Sequence, residues 1–260
     1  MKAHAALLLL LGLCWSTWSG ADGIPQLEYR VIGELPHSRN DFTQGLEIRD
    51  GTLYQGTGLV GQSRLQAFDL ETGALVRERE LPPPFFGEGI TVLGDLVVQL
   101  TWQSRWGFVY RRQDFALLGK FPLVGQGWGL TNDGKQLIYS DGSNLLRYID
   151  PQRWAVSRTL RVRRGDRPVH RLNELEWTPD GLWANVWQSD VLVRIDLDTG
   201  EVTGELDLKS LVKRDQRRHR EDVLNGIAYN AGDGSLWVTG KNWPRLYQLE
   251  IIEPTSPETP

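Results

Sequence analysis

Cysteine is nearly missing from this chain of 260 residues, which contains only Cys14. That cysteine follows an apolar run from Ala5 to Leu13, and small residues follow soon after, at Ser19-Gly20-Ala21. This pattern predicts a secretory signal peptide over residues 1–21, so we expect a protein that is secreted or exported to the periplasm. Leu13 is larger than the residue that usually precedes a lipidated cysteine, so cleavage near Ala21 is favoured over a lipid anchor. The mature chain, residues 22–260, then has no thiol, which excludes disulfides, thiolate nucleophiles and cysteine-bound metals.

Long hydrophobic runs and a strong excess of one charge are missing as well. Beyond the predicted signal peptide, no segment approaches the roughly 20 apolar residues that a membrane-spanning helix requires. The formal net charge is -4, and basic residues are mixed with acidic ones. The sequence therefore predicts no membrane span, and it indicates neither nucleic acid nor an anionic membrane as a partner.

The usual sequence signs of metal and cofactor chemistry are also lacking. His37, His170 and His219 lie in separate polar segments without the spacing of a zinc hydrolase. The chain has no Gly-x-Ser-x-Gly elbow, no phosphate-binding loop and no dinucleotide fingerprint. We expect neither a metal nor a cofactor.

Glycine and tryptophan, by contrast, are plentiful, with 28 and 11 residues. Together with short apolar runs they indicate an all-β protein. Five segments share one pattern, and their apolar residues are 44, 40, 45 and 52 positions apart. Each of the first four segments is followed by turn signals that predict four short strands, which is typical of a propeller blade. The segments begin at Gln44-Gly45-Leu46, Glu88-Gly89-Ile90, Trp128-Gly129-Leu130, Asn173-Glu174-Leu175 and Asn225-Gly226-Ile227.

The fifth repeat ends after three strands, and an unassigned strand, Leu27 to Ile32, is available at the other end of the chain. We therefore predict one domain over residues 22–260. It is a five-bladed β-propeller of four-stranded antiparallel blades, closed by pairing of the N-terminal strand with the last blade. The long step before the fifth repeat holds a basic insertion, Lys209 to Asp222. It is expected at the surface and could include a short helix, and a solvated loop is favoured there over a basic docking patch.

The repeat also predicts a site. In an up-and-down blade, the start of the innermost strand and the end of the second strand lie at the same end of the ring. The residues at these positions should form one cleft, the usual form of a small-ligand site. Its predicted aromatic walls are Phe42, Trp102, Trp128 and Trp187, and its predicted polar groups are Gln44, Asn173, Lys241 and Glu88.

Glu88 is the candidate general acid/base. It lies between aromatic and glycine residues in Phe85-Phe86-Gly87-Glu88-Gly89, where burial should raise the pKa of its carboxyl. Each site residue also has a structural alternative: Glu88 could point to water, the tryptophans could pack between blades, and Asn173 and Asn225 could satisfy buried backbone groups.

Eight motifs in register give the sequence a resemblance to a known family, the plant-type glutaminyl-peptide cyclotransferases. They are Phe42-Thr43-Gln44-Gly45-Leu46, Phe86-Gly87-Glu88-Gly89-Ile90-Thr91, Leu100-Thr101-Trp102, Gly127-Trp128-Gly129-Leu130-Thr131, Leu172-Asn173-Glu174-Leu175-Glu176, Ala184-Asn185-Val186-Trp187, Asn225-Gly226-Ile227-Ala228 and Thr239-Gly240-Lys241-Asn242-Trp243. The resemblance implies a five-bladed propeller. It also implies conversion of an N-terminal glutamine to pyroglutamate with loss of ammonia, without a catalytic metal.

If the resemblance holds, the partners are peptides or proteins with an N-terminal glutamine, and we expect the enzyme to act as a monomer. Glu88 would move the proton, while Gln44, Asn173, Lys241 and an indole N–H would hold the carbonyl groups. Two alternatives remain open. One is a propeller that binds a peptide or protein partner at the same cleft without catalysis, and the other is a calcium-dependent propeller hydrolase.

Overall fold

A computed structural model describes residues 23–215 and 217–253 of the chain. The predicted signal peptide, residues 1–21, lies outside these ranges. The first strand, β1, spans Gln26–Pro36 and is longer than the predicted Leu27 to Ile32. Within the described ranges, no helix is long and apolar enough to cross a bilayer.

Three antiparallel sheets follow, each with four strands in chain order. The first contains β2 (Thr43–Arg49), β3 (Thr52–Thr57), β4 (Arg64–Asp69) and β5 (Leu75–Glu80). The second contains β6 (Gly87–Leu93), β7 (Leu96–Thr101), β8 (Trp106–Arg111) and β9 (Leu117–Pro122). The third contains β10 (Leu130–Asn132), β11 (Leu137–Ser140), β12 (Leu145–Asp150) and β13 (Ala155–Arg161).

The remaining described residues form a small hairpin, a larger sheet and one helix. The hairpin pairs β14 (Arg163–Arg164) with β15 (Arg167–Pro168). The larger sheet has eight strands in the order β16-β17-β18-β19-β1-β22-β21-β20. Its further strands are β16 (Leu172–Thr178), β17 (Gly181–Val186), β18 (Val191–Ile195), β19 (Val202–Asp207), β20 (Leu224–Asn230), β21 (Ser235–Gly240) and β22 (Arg245–Ile252), and helix α1 spans Lys209–Asp215 before β20.

The eight-stranded sheet differs from the predicted four-stranded blades, and β1 is the reason. This strand pairs antiparallel with β22 along most of its length, from Glu28 to Pro36. Its first two residues, Gln26 and Leu27, also pair with β19 in parallel. Because β1 pairs with β19 on one side and with β22 on the other, it joins two groups of four strands into one sheet.

Burial decreases from the first strand of each group to the last. Strands β2 and β6 are buried at all positions but their final one, whereas β5 and β9 are mostly exposed. The first strands contact one another in a cycle, β2 with β6, β6 with β10, β10 with β16, β16 with β20 and β20 with β2. The apolar core lies between neighbouring sheets, where Leu65 and Tyr54, for example, pack with Ile90 and Phe108. Side chains at the ends of the first strands are therefore held close together.

The basic insertion before β20 contains a short helix and an exposed loop. Leu211 and Val212 of α1 are buried in the apolar core. Two of its basic residues form ion pairs with other parts of the chain, Arg214 with Glu34 and Arg217 with Asp190. The short helix that the sequence allowed is present with a buried apolar face, while residues 217–220 are exposed, as expected of a solvated loop.

Candidate active site

One cavity of about 250 Å³ is lined by every side chain that the sequence predicts for the site. The residues come from the starts of first strands and from positions just beyond the ends of second strands, as the repeat geometry predicts. Two further lining residues, Phe86 and Glu221, were not assigned to the site. The cavity is lined by Phe42, Gln44, Phe86, Glu88, Trp102, Trp128, Asn173, Trp187, Glu221 and Lys241.

Irregular strand pairing positions the polar site residues. The ladder shifts register across Gln44, across Glu88-Gly89, across Asn173-Glu174 and across Asn225-Gly226. A β-bulge leaves residues out of the ladder and turns their side chains away from the regular alternation. The same bulge in four repeats therefore presents side chains at one end of the molecule.

Glycines at or just before the starts of the first strands allow neighbouring strands to approach closely. A β-carbon on Gly89 would lie 2.5 Å from the backbone nitrogen of Leu130, and one on Gly129 would lie 1.9 Å from the carbonyl oxygen of Asn173. Such contacts are not tolerated, so the repeated glycine is a packing requirement. Close packing of the bulges holds the site residues in fixed relative positions.

Glu88 is the second residue of β6 and is 5 % exposed. Its carboxylate accepts no hydrogen bond from the residues that the structure describes. Burial raises the pKa of Glu88 well above its ordinary value, and the positive charge of Lys241 opposes this shift. The alternative of a turn residue that points to water does not fit this burial.

Lys241 follows β21 directly and is also 5 % exposed. Its ammonium lies 4.6 Å from the centroid of the Phe42 ring, within the range of a cation–π interaction. Burial lowers the pKa of Lys241, while the carboxylates of Glu88 and then Glu221 oppose that shift. The cavity thus holds a buried acid and a buried base that influence each other through space.

The aromatic wall is built from edge-to-face contacts. Phe86 lies between Phe42, at 6.2 Å between ring centroids, and Trp102, at 5.6 Å. On the other part of the wall, Trp128 and Trp187 meet at 5.7 Å with an interplanar angle of 84°. These arrangements are favourable for aromatic pairs and leave each ring little freedom. Phe86 could have been found from the sequence, since it lies two positions before Glu88.

Comparison with known proteins decides the family. A model of the glutamine cyclotransferase family matches residues 5–251 of the chain. The chain belongs to this glutamine cyclotransferase family. It is 40 % identical over 228 residues to a glutaminyl-peptide cyclotransferase of Arabidopsis thaliana, covering 86 % of this chain and 71 % of the relative. The resemblance predicted from the eight motifs is confirmed.

A solved structure of a cyclotransferase relative shares the fold. The crystal structure of Myxococcus xanthus glutaminyl cyclase superimposes with a TM-score of 0.83 and 33 % sequence identity. The match covers 88 % of this chain and 99 % of that chain. The likeness therefore extends over almost the whole relative.

Two indole N–H groups of this cyclotransferase family member already have an acceptor. Trp102 Nε1 and Trp128 Nε1 both donate to Gln126 Oε1, at 2.7 and 3.0 Å. Trp187 Nε1 has no such partner among the residues described, so it is the indole N–H that can serve a ligand. The sequence carried no sign of Gln126, which belongs to no repeat position.

The amide of Gln44 has a defined orientation. Asn225 Nδ2 donates to Gln44 Oε1 at 3.2 Å and to the carbonyl oxygen of Thr43 at 2.9 Å. With its oxygen engaged, Gln44 presents its NH₂ group as a donor. Asn225 therefore satisfies buried backbone, as its structural alternative predicted. Asn173 differs, because its side-chain amide has no hydrogen bond to any other described residue while its backbone carbonyl accepts one from Ser140.

Three other buried carboxylates hold the strands of this cyclotransferase family member together. Glu174 accepts the backbone N–H groups of Leu46 and Ile227, at 3.2 and 2.7 Å. Glu47 and Glu176 likewise bridge neighbouring first strands through backbone and threonine donors, and none of the three lines the cavity. Over residues 23–215 and 217–253, no group of three His, Cys, Asp or Glu side chains is placed to hold a metal ion.

Proposed function

We propose that this protein is a glutaminyl-peptide cyclotransferase that converts the N-terminal glutamine of peptides to pyroglutamate and releases ammonia. The observation that carries the proposal is the buried Glu88 carboxylate. It faces an aromatic cavity without a hydrogen-bond partner from the described chain, in a member of the glutamine cyclotransferase family. A carboxylate kept free in this way is available for proton transfer.

The first requirement of the reaction is geometric. The substrate contains both reacting groups, the α-amine as nucleophile and the γ-amide carbon as electrophile, and a flexible side chain separates them. A cavity of about 250 Å³ with rigid aromatic walls limits the conformations of that side chain. Holding reacting groups in contact removes much of the entropic barrier to ring closure.

The second requirement is movement of one proton. The α-nitrogen forms a bond to the γ-carbon, and Glu88 takes a proton from that nitrogen. Glu88 then gives the proton to the amide nitrogen, the bond from carbon to that nitrogen breaks, and ammonia leaves. The raised pKa of Glu88 suits both directions of transfer, because an acid/base is most effective with a pKa near the working pH.

The oxygen of the γ-amide gains negative charge in the intermediate, so it needs donors. We assign this task to Gln44, Asn173, Trp187 and Lys241, whose donor groups have no other acceptor among the described residues. A single donor of this kind contributes roughly 2.7 to 4 kcal/mol in other enzymes. The α-amine of a peptide has a reference pKa of about 7.7 to 8.0 and reacts uncharged, so the rate should rise from neutral to mildly alkaline pH.

We further infer that the five groups of strands form a five-bladed propeller. The contact cycle among β2, β6, β10, β16 and β20 supports a ring, and the pairing of β1 with β22 supports its closure by the N-terminal strand. The sequence pattern supports removal of a signal peptide near residue 21 and export of the mature chain. We also propose that the enzyme needs no metal and acts as a monomer.

Mass spectrometry of a glutaminyl-alanine amide incubated with the purified mature protein tests the function. We expect the peptide to lose the mass of one ammonia molecule, with or without a chelator present. An intact peptide in the presence of well-folded protein would contradict the enzymatic function and favour the non-catalytic binding alternative. Activity that a chelator abolishes would contradict metal independence alone.

A further inference from the structure

The insertion between β19 and β20 contributes one side chain to the cavity, Glu221. The other lining residues come from strand ends and the segments next to them. Among the residues that the structure describes, Glu221 and Glu88 are the two carboxylates that line the cavity. Glu221 takes no part in the proposed proton transfer.

The loop that carries Glu221 is fastened to the strand end that carries Lys241. Asp222 is 2 % exposed, and its carboxylate accepts the side-chain amide of Asn242 at 2.8 Å and two backbone N–H groups of its own loop. The backbone N–H of Lys241 donates to Val223 at 2.9 Å, and the indole of Trp243 donates to the Asp222 carbonyl at 3.0 Å. These bonds on the C-terminal side of Glu221 fix its backbone beside the cavity.

Unlike Glu88, Glu221 is in contact with solvent. Its side chain is 39 % exposed, and one of its oxygens lies 3.0 Å from Nε of Arg220, which is 83 % exposed. A pair this exposed is weak and exchanges readily with water and other charges. Glu221 also acts on Lys241 through space, since its charge opposes the lowering of the Lys241 pKa. It is therefore a carboxylate at the rim, next to the buried charges.

When the N-terminal glutamine of a peptide occupies the cavity, the rest of the peptide must extend out past this rim. The volume of about 250 Å³ suits one residue, so the next residue of the peptide meets the mouth. Charges at the rim of a binding site act chiefly on selectivity and on association rate.

We propose that Glu221 makes the enzyme select peptides by the charge of the residue after the N-terminal glutamine. A basic second residue is favoured by attraction to the carboxylate, and an acidic one is disfavoured by repulsion. This inference rests on the proposed cyclotransferase function.

The test compares kcat/KM for three peptide amides, Gln-Lys, Gln-Ala and Gln-Glu, at low salt. We expect the unsubstituted protein to prefer Gln-Lys over Gln-Glu. An exposed charge pair changes a rate by about twofold to fivefold. The ratio of kcat/KM for Gln-Lys to that for Gln-Glu contains one attraction and one repulsion, so the two factors multiply. Glu221→Gln should therefore lower the ratio by about fourfold to twenty-five-fold, with Gln-Ala turnover little changed. The ratio of the unsubstituted protein should also fall as salt is added.

Two matched variants sharpen the test. Arg220→Gln removes the exposed partner of Glu221, so it should raise the preference for Gln-Lys and thus act in the opposite direction. Glu71→Gln also removes one negative charge, but from an exposed turn between β4 and β5, at the end of the sheet away from the cavity. It should leave the ratio unchanged.

An unchanged ratio in Glu221→Gln, with full turnover of Gln-Ala, would overturn the inference and leave the cyclotransferase function intact. Equal losses on all three peptides would also overturn it, since they would place Glu221 in catalysis through Lys241. If the unsubstituted protein forms no pyroglutamate from any peptide, the proposed function fails and the inference fails with it.

Discussion

Replacing Glu88 with glutamine should have opposite effects on activity and on stability. Glutamine has nearly the same shape but can neither take nor give the proton. Loss of a positioned acid/base lowers turnover by about 100- to 10,000-fold. At about 1.36 kcal/mol per tenfold change, this corresponds to roughly 2.7 to 5.4 kcal/mol of transition-state stabilisation.

The stability effect follows from burial without a hydrogen bond. Burying the charged form of Glu88 is unfavourable in the folded protein, because Lys241 alone among the described residues compensates its charge. A buried neutral amide without a partner still costs about 1 to 3 kcal/mol, but a buried charge costs more, so the variant avoids the difference between the two. The gain is reduced because Lys241 in turn loses its nearest opposite charge.

The difference in stability between the Glu88→Gln variant and the parent depends on pH. The pKa of Glu88 is raised in the folded protein above an unfolded value of about 4.3, so stability contributed by the protonated form is lost as pH rises through the folded pKa. Below about pH 4 the carboxyl is protonated in both states, and the variant and the parent should unfold alike. At alkaline pH the variant should be the more stable of the two.

The assay is thermal unfolding of both proteins at acidic and alkaline pH, together with turnover of a glutaminyl-alanine amide. Glu47→Gln is the matched control. Glu47 is equally buried, but its carboxylate accepts hydrogen bonds from Thr91, Val92 and Arg49 and lies outside the cavity. The control should lose stability and keep turnover. A Glu88→Gln protein with near-parental turnover, or with lower stability at alkaline pH, would refute the reasoning.

Two other substitutions test how the site is held. Gln126→Leu removes the acceptor that Trp102 and Trp128 share, so we expect a several-fold rise in KM with a smaller change in kcat; an unchanged KM would mean that the bond does not orient the walls. Gly129→Ala places a methyl group 1.9 Å from the Asn173 carbonyl oxygen, so thermal unfolding should show a loss of about 1 to 3 kcal/mol, and an unchanged melting temperature would contradict the close packing of the bulges.

Much of the site could be predicted because short stretches of sequence are enough to reveal the repeat. Turn residues and short apolar runs define where each strand starts and stops, and antiparallel pairing then places those ends together. Phe42, Glu88 and Lys241 lie far apart in the chain, yet the same rule brought them to one cavity.

What the sequence by itself determined is therefore the β-rich architecture, the repeat, the family and the eight side chains of the cleft. Only the tertiary structure decided the bulges that turn Gln44 and Glu88 into the cavity, the acceptor role of Gln126 and the approach of Glu221. Each of these features depends on contacts between segments that the sequence repeat does not relate to one another. A hydrogen bond from one loop to another leaves no local pattern, so only the packed chain reveals it.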